Sequence, residues 1–268
     1  MTIHDDCALV ISDREHTVLE KKIVDVVNLT RHWFNCNNLN VNLTKSFLLH
    51  VRTNHLTRNL WNIKLDHTAA KEINIVDDIK FLGVHVDSHF SYELHANEMV
   101  IKLKQSCYLM KKLVNYCDLM TLKSVHFSYF QTRLIYCLSS WGFTSTRNVV
   151  KVLFKVQKKI LRIMMGVSST TSCRNIFKDL GILTFPSLIV KECCLSVKRK
   201  LTFIDFKTKT HDYDTRQKTD FKVKIDMTRF KSPLCFNRSL YNYLPKNVLE
   251  CARYQDFKRE LPADKQFL

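Results

Sequence analysis

Asp5 and Asp6 are adjacent carboxylates followed at once by an apolar run, Cys7-Ala8-Leu9-Val10-Ile11. On a regular strand neighbouring side chains point to opposite faces. The pair can therefore serve one site only where a tight turn re-aims one of them. A turn with both at its tip, feeding a buried strand over residues 7–11, can hold a hard divalent cation, because Mg²⁺ takes one or two carboxylates together with phosphate oxygens. The same pair also fits a solvated turn, and a second adjacent pair stands at Asp77-Asp78.

A second set of residues is cationic. Over 148–165, Val149, Val152, Leu153, Val156, Ile160 and Ile163 recur on one side of a helical period. Arg147, Lys151, Lys155, Lys158, Lys159 and Arg162 recur on the other side, and no acid stands between Arg147 and Arg174. Cations repeated along a helix can track a phosphate backbone. A solvated helix face has the same pattern. The whole chain carries 42 Lys plus Arg against 25 Asp plus Glu, a net charge of +17, which points to a polyanionic partner, nucleic acid first. His85, His89 and His95 lack the spacing of a tetrahedral zinc site.

The elements that position these residues follow from composition and period. A chain of 268 residues buries a real core in one or two domains. Only four Gly and four Pro argue for helices and long elements over a loop-rich all-β fold. No apolar run approaches the roughly 18 residues of a membrane span, and the acidic start lacks the layout of a signal peptide. The ten Cys include no C-x-x-C pair, and only Cys193-Cys194 are adjacent, which implies reduced thiols packed on apolar faces in an intracellular protein.

Period and turn residues predict a helix over 15–34 ended by Asn35-Cys36-Asn37-Asn38, then short strands over 46–51, 61–65, 73–76 and 80–86. From Tyr92 the pattern becomes helical. One stripe is Val100, Leu103, Cys107, Met110 and Val114, and another is Leu122, Val125, Tyr129, Thr132 and Tyr136 on a segment that also carries Phe130, Leu134 and Leu138. Helices over 148–165, 173–179 and 186–201, a polar stretch over 202–231, and short helices over 239–244 and 254–261 complete the reading. The fold class is α+β, with an α+β half-domain over 1–88, a helical domain over 89–203 and a polar C-terminal region over 204–268.

The order of segments resembles the reverse transcriptase of non-LTR, jockey-like retrotransposons over essentially the whole chain. The residues that carry the resemblance are His4-Asp5-Asp6-Cys7-Ala8-Leu9-Val10-Ile11-Ser12, Trp33-Phe34, Leu39-Asn40-Val41-Asn42-Leu43-Thr44-Lys45-Ser46 and Lys80-Phe81-Leu82-Gly83-Val84. Tyr213-Asp214-Thr215-Arg216, Leu240-Tyr241-Asn242-Tyr243-Leu244-Pro245 and Phe257-Lys258-Arg259-Glu260-Leu261 are similar to that family's C-terminal region. The resemblance implies a partial palm, a short antiparallel sheet with a helix, followed by a helical thumb. It implies Asp5 as a ligand of catalytic Mg²⁺ or Mn²⁺ with Asp6 in support, Lys45 near the incoming triphosphate as a proton donor to pyrophosphate, and Phe81-Leu82-Gly83 against the primer end. A surface lysine before a strand and an ordinary buried strand are the alternatives for the last two. The partners implied are an RNA template and a DNA primer, and residues 147–162 fall where the family has its thumb.

In place of the family's aromatic-Ala before the carboxylates, this chain has Ile3-His4, and Met1 stands only four residues before Asp5. The family's fingers and its further metal-binding Asp lie upstream of this point. Two-metal nucleotidyl transfer clamps its ions between carboxylates of separate strands, so the isolated chain is expected not to polymerise DNA. A primer-extension assay on the purified chain checks this. Templated, Mg²⁺-dependent products abolished by Asp5→Ala would overturn it. Two other readings compete: a non-catalytic nucleic-acid-binding remnant, and a helical protein-interaction module.

Overall fold

The computed structural model describes residues 7–39, 41–42, 45–52, 74–143, 147–200, 233–249, 251 and 253–261. The chain divides into two units, Met1–Phe90 and Ser91–Leu268. Among the described residues it is α+β and mostly helical, with two small sheets.

In the first unit, α1 runs over His16–Cys36. It stops where Asn37 donates its side-chain amide to the Trp33 carbonyl (2.8 Å) and Asn38 takes φ 55°, a conformation Asn tolerates better than most residues. Its buried residue, Ile23, packs with Leu19, Val27, Ile11, Leu48 and Ile75. Leu48 lies on β1 (Phe47–Leu49) and Ile75 on β2 (Asn74–Val76), which pair in parallel. The helix thus covers one face of this strand pair, where the partial-palm reading expects an antiparallel sheet.

Residues 7–11 correct the expected buried strand. They form no regular element, and Val10 is 97% exposed. A strand must pair its backbone groups, and no described strand lies beside these residues in either sheet. The strand expected over 80–86 is corrected too. The chain reverses within it, so β3 (Asp78–Phe81) and β4 (Val84–Asp87) form an antiparallel hairpin with Phe81 opposite Val84. Leu82 (φ 46°) and Gly83 (φ 81°) make the two-residue turn, and a type I′ hairpin turn needs positive φ at both positions. Glycine adopts that conformation freely. A leucine is strained there by about 1–2 kcal/mol. Leu82→Asn is therefore expected to stabilise the protein by about 1 kcal/mol, read as a higher urea midpoint. An unchanged or lower midpoint would show that the turn needs the leucine. The strand expected over 61–65 lies outside the described residues.

The second unit is built on α2 (Glu93–Leu113), α6 (Arg147–Met164) and α8 (Phe185–Lys200). The α2 stripe buries Val100, Leu103, Cys107 and Met110. It packs on α6 through Leu153, Val156, Ile160 and their neighbours, where the Cys107 thiol lies 3.9 Å from the Val156 carbonyl. Between them run α3 (Leu119–Val125), a π-helical turn (His126–Gln131), α4 (Thr132–Ile135) and α5 (Leu138–Trp141). Asp118 caps α3 by accepting from the Thr121 N–H (3.2 Å).

The π turn changes which stripe faces inward. Leu122, His126, Phe130, Leu134 and Leu138 are buried, whereas Tyr129 and Tyr136 of the expected stripe are exposed. Residues four apart drift about 40° per step round an α-helix of 3.6 residues per turn. A wider turn absorbs that drift and keeps this row facing the core.

Trp141 is fully buried at the centre, its ring edge-on to His95 (5.2 Å) and its Nε1 donating to the Tyr136 carbonyl (2.8 Å). After α7 (Arg174–Leu180), Gly181 takes φ 61° and turns the chain into α8. α9 (Pro233–Asn242), α10 (Lys246–Leu249) and α11 (Tyr254–Glu260) then pack on α8 through Tyr241, Leu244, Val248 and Phe257. Cys194 lies in this cluster and Cys193 is buried beside it on α8, and burial pushes both thiols up to about 12. Those two cysteines are packed, protonated and unreactive.

His126 stacks on Phe130 (5.2 Å), and both ring nitrogens are buried with no hydrogen-bond partner among the described residues. Burial alone holds its imidazole down at about 4. An unfolded histidine titrates near 6.5, so the unfolded chain binds the proton that the folded one refuses. Stability from this residue is full above about pH 6.5 and falls as pH drops towards 4. The loss amounts to about 3 kcal/mol by pH 4. His126→Phe is expected to erase that portion of the acid sensitivity. Parallel urea-unfolding curves across this window, with the gap between wild type and variant unchanged, would refute it.

Candidate nucleic-acid interface

The apolar side of α6 is held by the core, so its opposite side must face solvent. Lys151, Lys155 and Lys159 are exposed there, and none forms an ion pair with an acid among the described residues. The other cations of the set are partly committed. Lys158 is half-buried with its ammonium over the Phe154 ring (4.1 Å), and Arg162 donates its Nε–H to the Thr171 carbonyl (2.8 Å), tying the 166–173 loop to the helix. Arg147 begins the helix, and its side chain lies outside the described set. Three of the six cations are thus presented together, two serve the fold as well, and one is not described.

Val152 and Ile163, expected on the inward face, are exposed and half-buried respectively. The residues that fill the core in their stead are Gln157, Leu161 and Met164. Gln157 is not among the residues that apolar spacing predicts for the inward face. Its amide spans to the start of α8, Nε2 donating to the Leu183 carbonyl (2.8 Å) and Oε1 accepting from the Phe185 N–H (2.7 Å). A lone polar residue on the inward side of an apolar stripe was the signal that could have found it. It ties the start of α8 to the inward side of α6.

The candidates for catalysis and primer binding lie in the first unit. Asp5 and Asp6 fall outside the described residues. Among the described residues no three His, Cys, Asp or Glu side chains converge as a metal-holding group. Lys45 is exposed in a short turn ahead of β1, where its N–H donates to the Asn42 carbonyl (3.2 Å). Phe81, Leu82 and Gly83 sit at the hairpin tip, with Phe81 half-buried and Leu82 58% exposed. The base of that hairpin is laced to Arg52. Arg52 donates to the Asp77 carboxylate (3.4 Å) and to the Ser88 carbonyl (3.0 Å), and its own carbonyl accepts from His89 Nδ1 (3.1 Å). His85 lies 4.0 Å from Asp78, and His95 belongs to the Trp141 core, so each histidine has a local role apart from zinc.

No family model, no curated protein and no solved structure matches this chain.

Proposed function

We propose that this chain is a palm–thumb portion of an RNA-directed DNA polymerase of the non-LTR retrotransposon kind, and that it holds an RNA–DNA duplex on the outward face of α6. The family reading rests on the order and spacing of the motifs around Asp5-Asp6, Lys45 and Phe81-Leu82-Gly83. The observation that carries the binding reading is the row of Lys151, Lys155 and Lys159, exposed on a helix whose other side is locked in the core and unpaired with acids among the described residues. The row adds like charges to a chain whose net charge is already +17, and a polyanion gains from meeting them. A duplex backbone fits, because it offers regularly repeated phosphates to a rigid array.

A hydroxyl-to-phosphate transfer on this scaffold would need the carboxylates of Asp5 and Asp6 to bring divalent metal to the primer end, with Lys45 supplying a proton to the departing pyrophosphate. Those are the roles the resemblance gives them. The test is fluorescence anisotropy of an RNA–DNA duplex titrated with the full chain over a range of salt. Binding is expected to weaken with salt with a log–log slope of about −3, one unit for each exposed lysine that displaces a counterion. A flat salt response, or no binding at low salt, would overturn the proposal.

A further inference from the structure

On a helix, residues three and four apart share a face, so Lys104, Tyr108 and Lys111 of α2 form one row. They lie one position past Leu103, Cys107 and Met110, all of which are buried. Cys107 abuts the α6 backbone at Val156, and the charge of Lys159 on α6 reaches its thiol. The row therefore lies on the flank of α2 along its seam with α6, next to the face that carries Lys155 and Lys159. Tyr108 is 66% exposed, with the Lys112 ammonium 5.6 Å from its ring centre. Tyr116, in the turn that closes α2, is 87% exposed. No acid pairs with Lys104 or Lys111 among the described residues. Between Glu98 and the end of this turn the sequence contains no carboxylate at all.

We propose that this flank is a track for single-stranded nucleic acid, in which Lys104 and Lys111 hold phosphates while Tyr108 and Tyr116 stack unpaired bases. A duplex shows its phosphates and keeps its bases stacked on one another, so it has no use for water-exposed tyrosine rings. An unpaired strand offers both phosphates and ring faces, and exposed aromatics set among cations are the chemistry that grips it without regard to sequence. Because the row adjoins the lysines of α6, one nucleic acid can lie across both helices, duplex on α6 and its unpaired extension on α2. The track rests on the nucleic-acid reading of α6 for the class of partner, and on the tyrosines of α2 for its preference for unpaired bases.

The experiment measures binding of the full chain to three probes by anisotropy: a blunt RNA–DNA duplex, the same duplex with an unpaired extension, and single-stranded oligothymidylate. Tyr108→Ala with Tyr116→Ala is expected to weaken binding of the oligothymidylate about tenfold or more and to remove the advantage of the extended duplex over the blunt one. Binding of the blunt duplex should stay unchanged. Both tyrosines are exposed, so the thermal melt should not move, and Tyr108→Phe with Tyr116→Phe should bind as wild type because the stacking rings remain. Unchanged oligothymidylate binding by the alanine pair overturns the track. An equal loss on the blunt duplex, an equal loss with phenylalanine, or binding to phosphatidylserine vesicles in place of oligothymidylate does so too. If charge reversal on α6 spares the blunt duplex while oligothymidylate binding still depends on the tyrosines, the α6 proposal fails and the track stands.

Discussion

Reversing Lys151, Lys155 and Lys159 to glutamate together is expected to weaken RNA–DNA duplex binding by about 100-fold or more near 0.1 M salt and to remove about three units from the salt slope. The effect is electrostatic. Each lysine that meets a phosphate releases a condensed counterion, and that release is what salt opposes. The three residues are exposed on a helix that the core holds rigid, so they act as a fixed array. Lys158 and Arg162 do more than carry charge. Arg162 holds the Thr171 carbonyl and Lys158 lies over Phe154, so changing them would disturb the loop and the packing as well as the charge. The triple variant should melt at or slightly above the wild-type temperature, because it relieves repulsion in a chain of net charge +17. A duplex affinity within twofold of wild type would place the binding surface elsewhere or remove it.

The second large effect is on stability. Gln157→Leu preserves most of the side-chain volume but strips the Leu183 carbonyl and the Phe185 N–H of their partners. Phe185 opens α8, and the first N–H groups of a helix have no partner within it. Thr184 contributes to this helix start through contacts with Ser187, with its Oγ1 accepting the Ser187 N–H (3.4 Å). The Phe185 N–H depends on Gln157, which is itself fully buried. Each orphaned buried group costs about 1–3 kcal/mol, so the variant should lose about 2–5 kcal/mol, a drop of roughly 10 °C in melting temperature for a unit of this size. Thermal unfolding followed by circular dichroism reads it directly. A melting temperature within about 2 °C of wild type would mean that water replaces the amide at little expense, and that α8 is positioned by its apolar contacts alone.

Lys151, Lys155 and Lys159 lie on one side of α6 and Gln157 on the other, and spacing along the chain marks the two sides without marking the partners on either. The length and inward face of α6 are visible in the spacing of Leu153, Val156 and Ile160, because apolar period is a local property of neighbouring turns. The same holds for α1, whose asparagine stop is written in residues 35–38, and for the inward row of α2. Which cations of α6 stand free was not visible. Lys158 and Arg162 share the period of Lys151 and Lys155, and only the nearness of Phe154 and of the 166–173 loop separates them. Phe154 stands one turn before Lys158 on the same helix, whereas the Thr171 carbonyl that holds Arg162 lies beyond the helix end and is brought back by the fold.

The departures in the first unit have the same origin. An apolar run over 80–86 looks like one strand because hydrophobicity does not record the sign of φ, and the reversal at Leu82-Gly83 depends on two positive φ values. The run over 7–11 has the composition of a strand, but a strand exists only where another lies beside it, and pairing is not a local property. In the second unit, the π turn at His126–Gln131 re-phases the inward row, so that His126 is buried and Tyr129 is not.

By itself, the sequence determined the α+β class, the places and ends of the long helices, the strong positive charge and the cationic side of α6, since each follows from composition or from spacing within a few turns. Tertiary structure alone decided that Gln157 splints α8, that α2 lends Lys104, Tyr108 and Lys111 to the flank beside α6, and that three lysines face solvent unpaired with acids among the described residues. The physical reason is that those facts are relations between residues far apart in the chain, and they come into being only when helices pack.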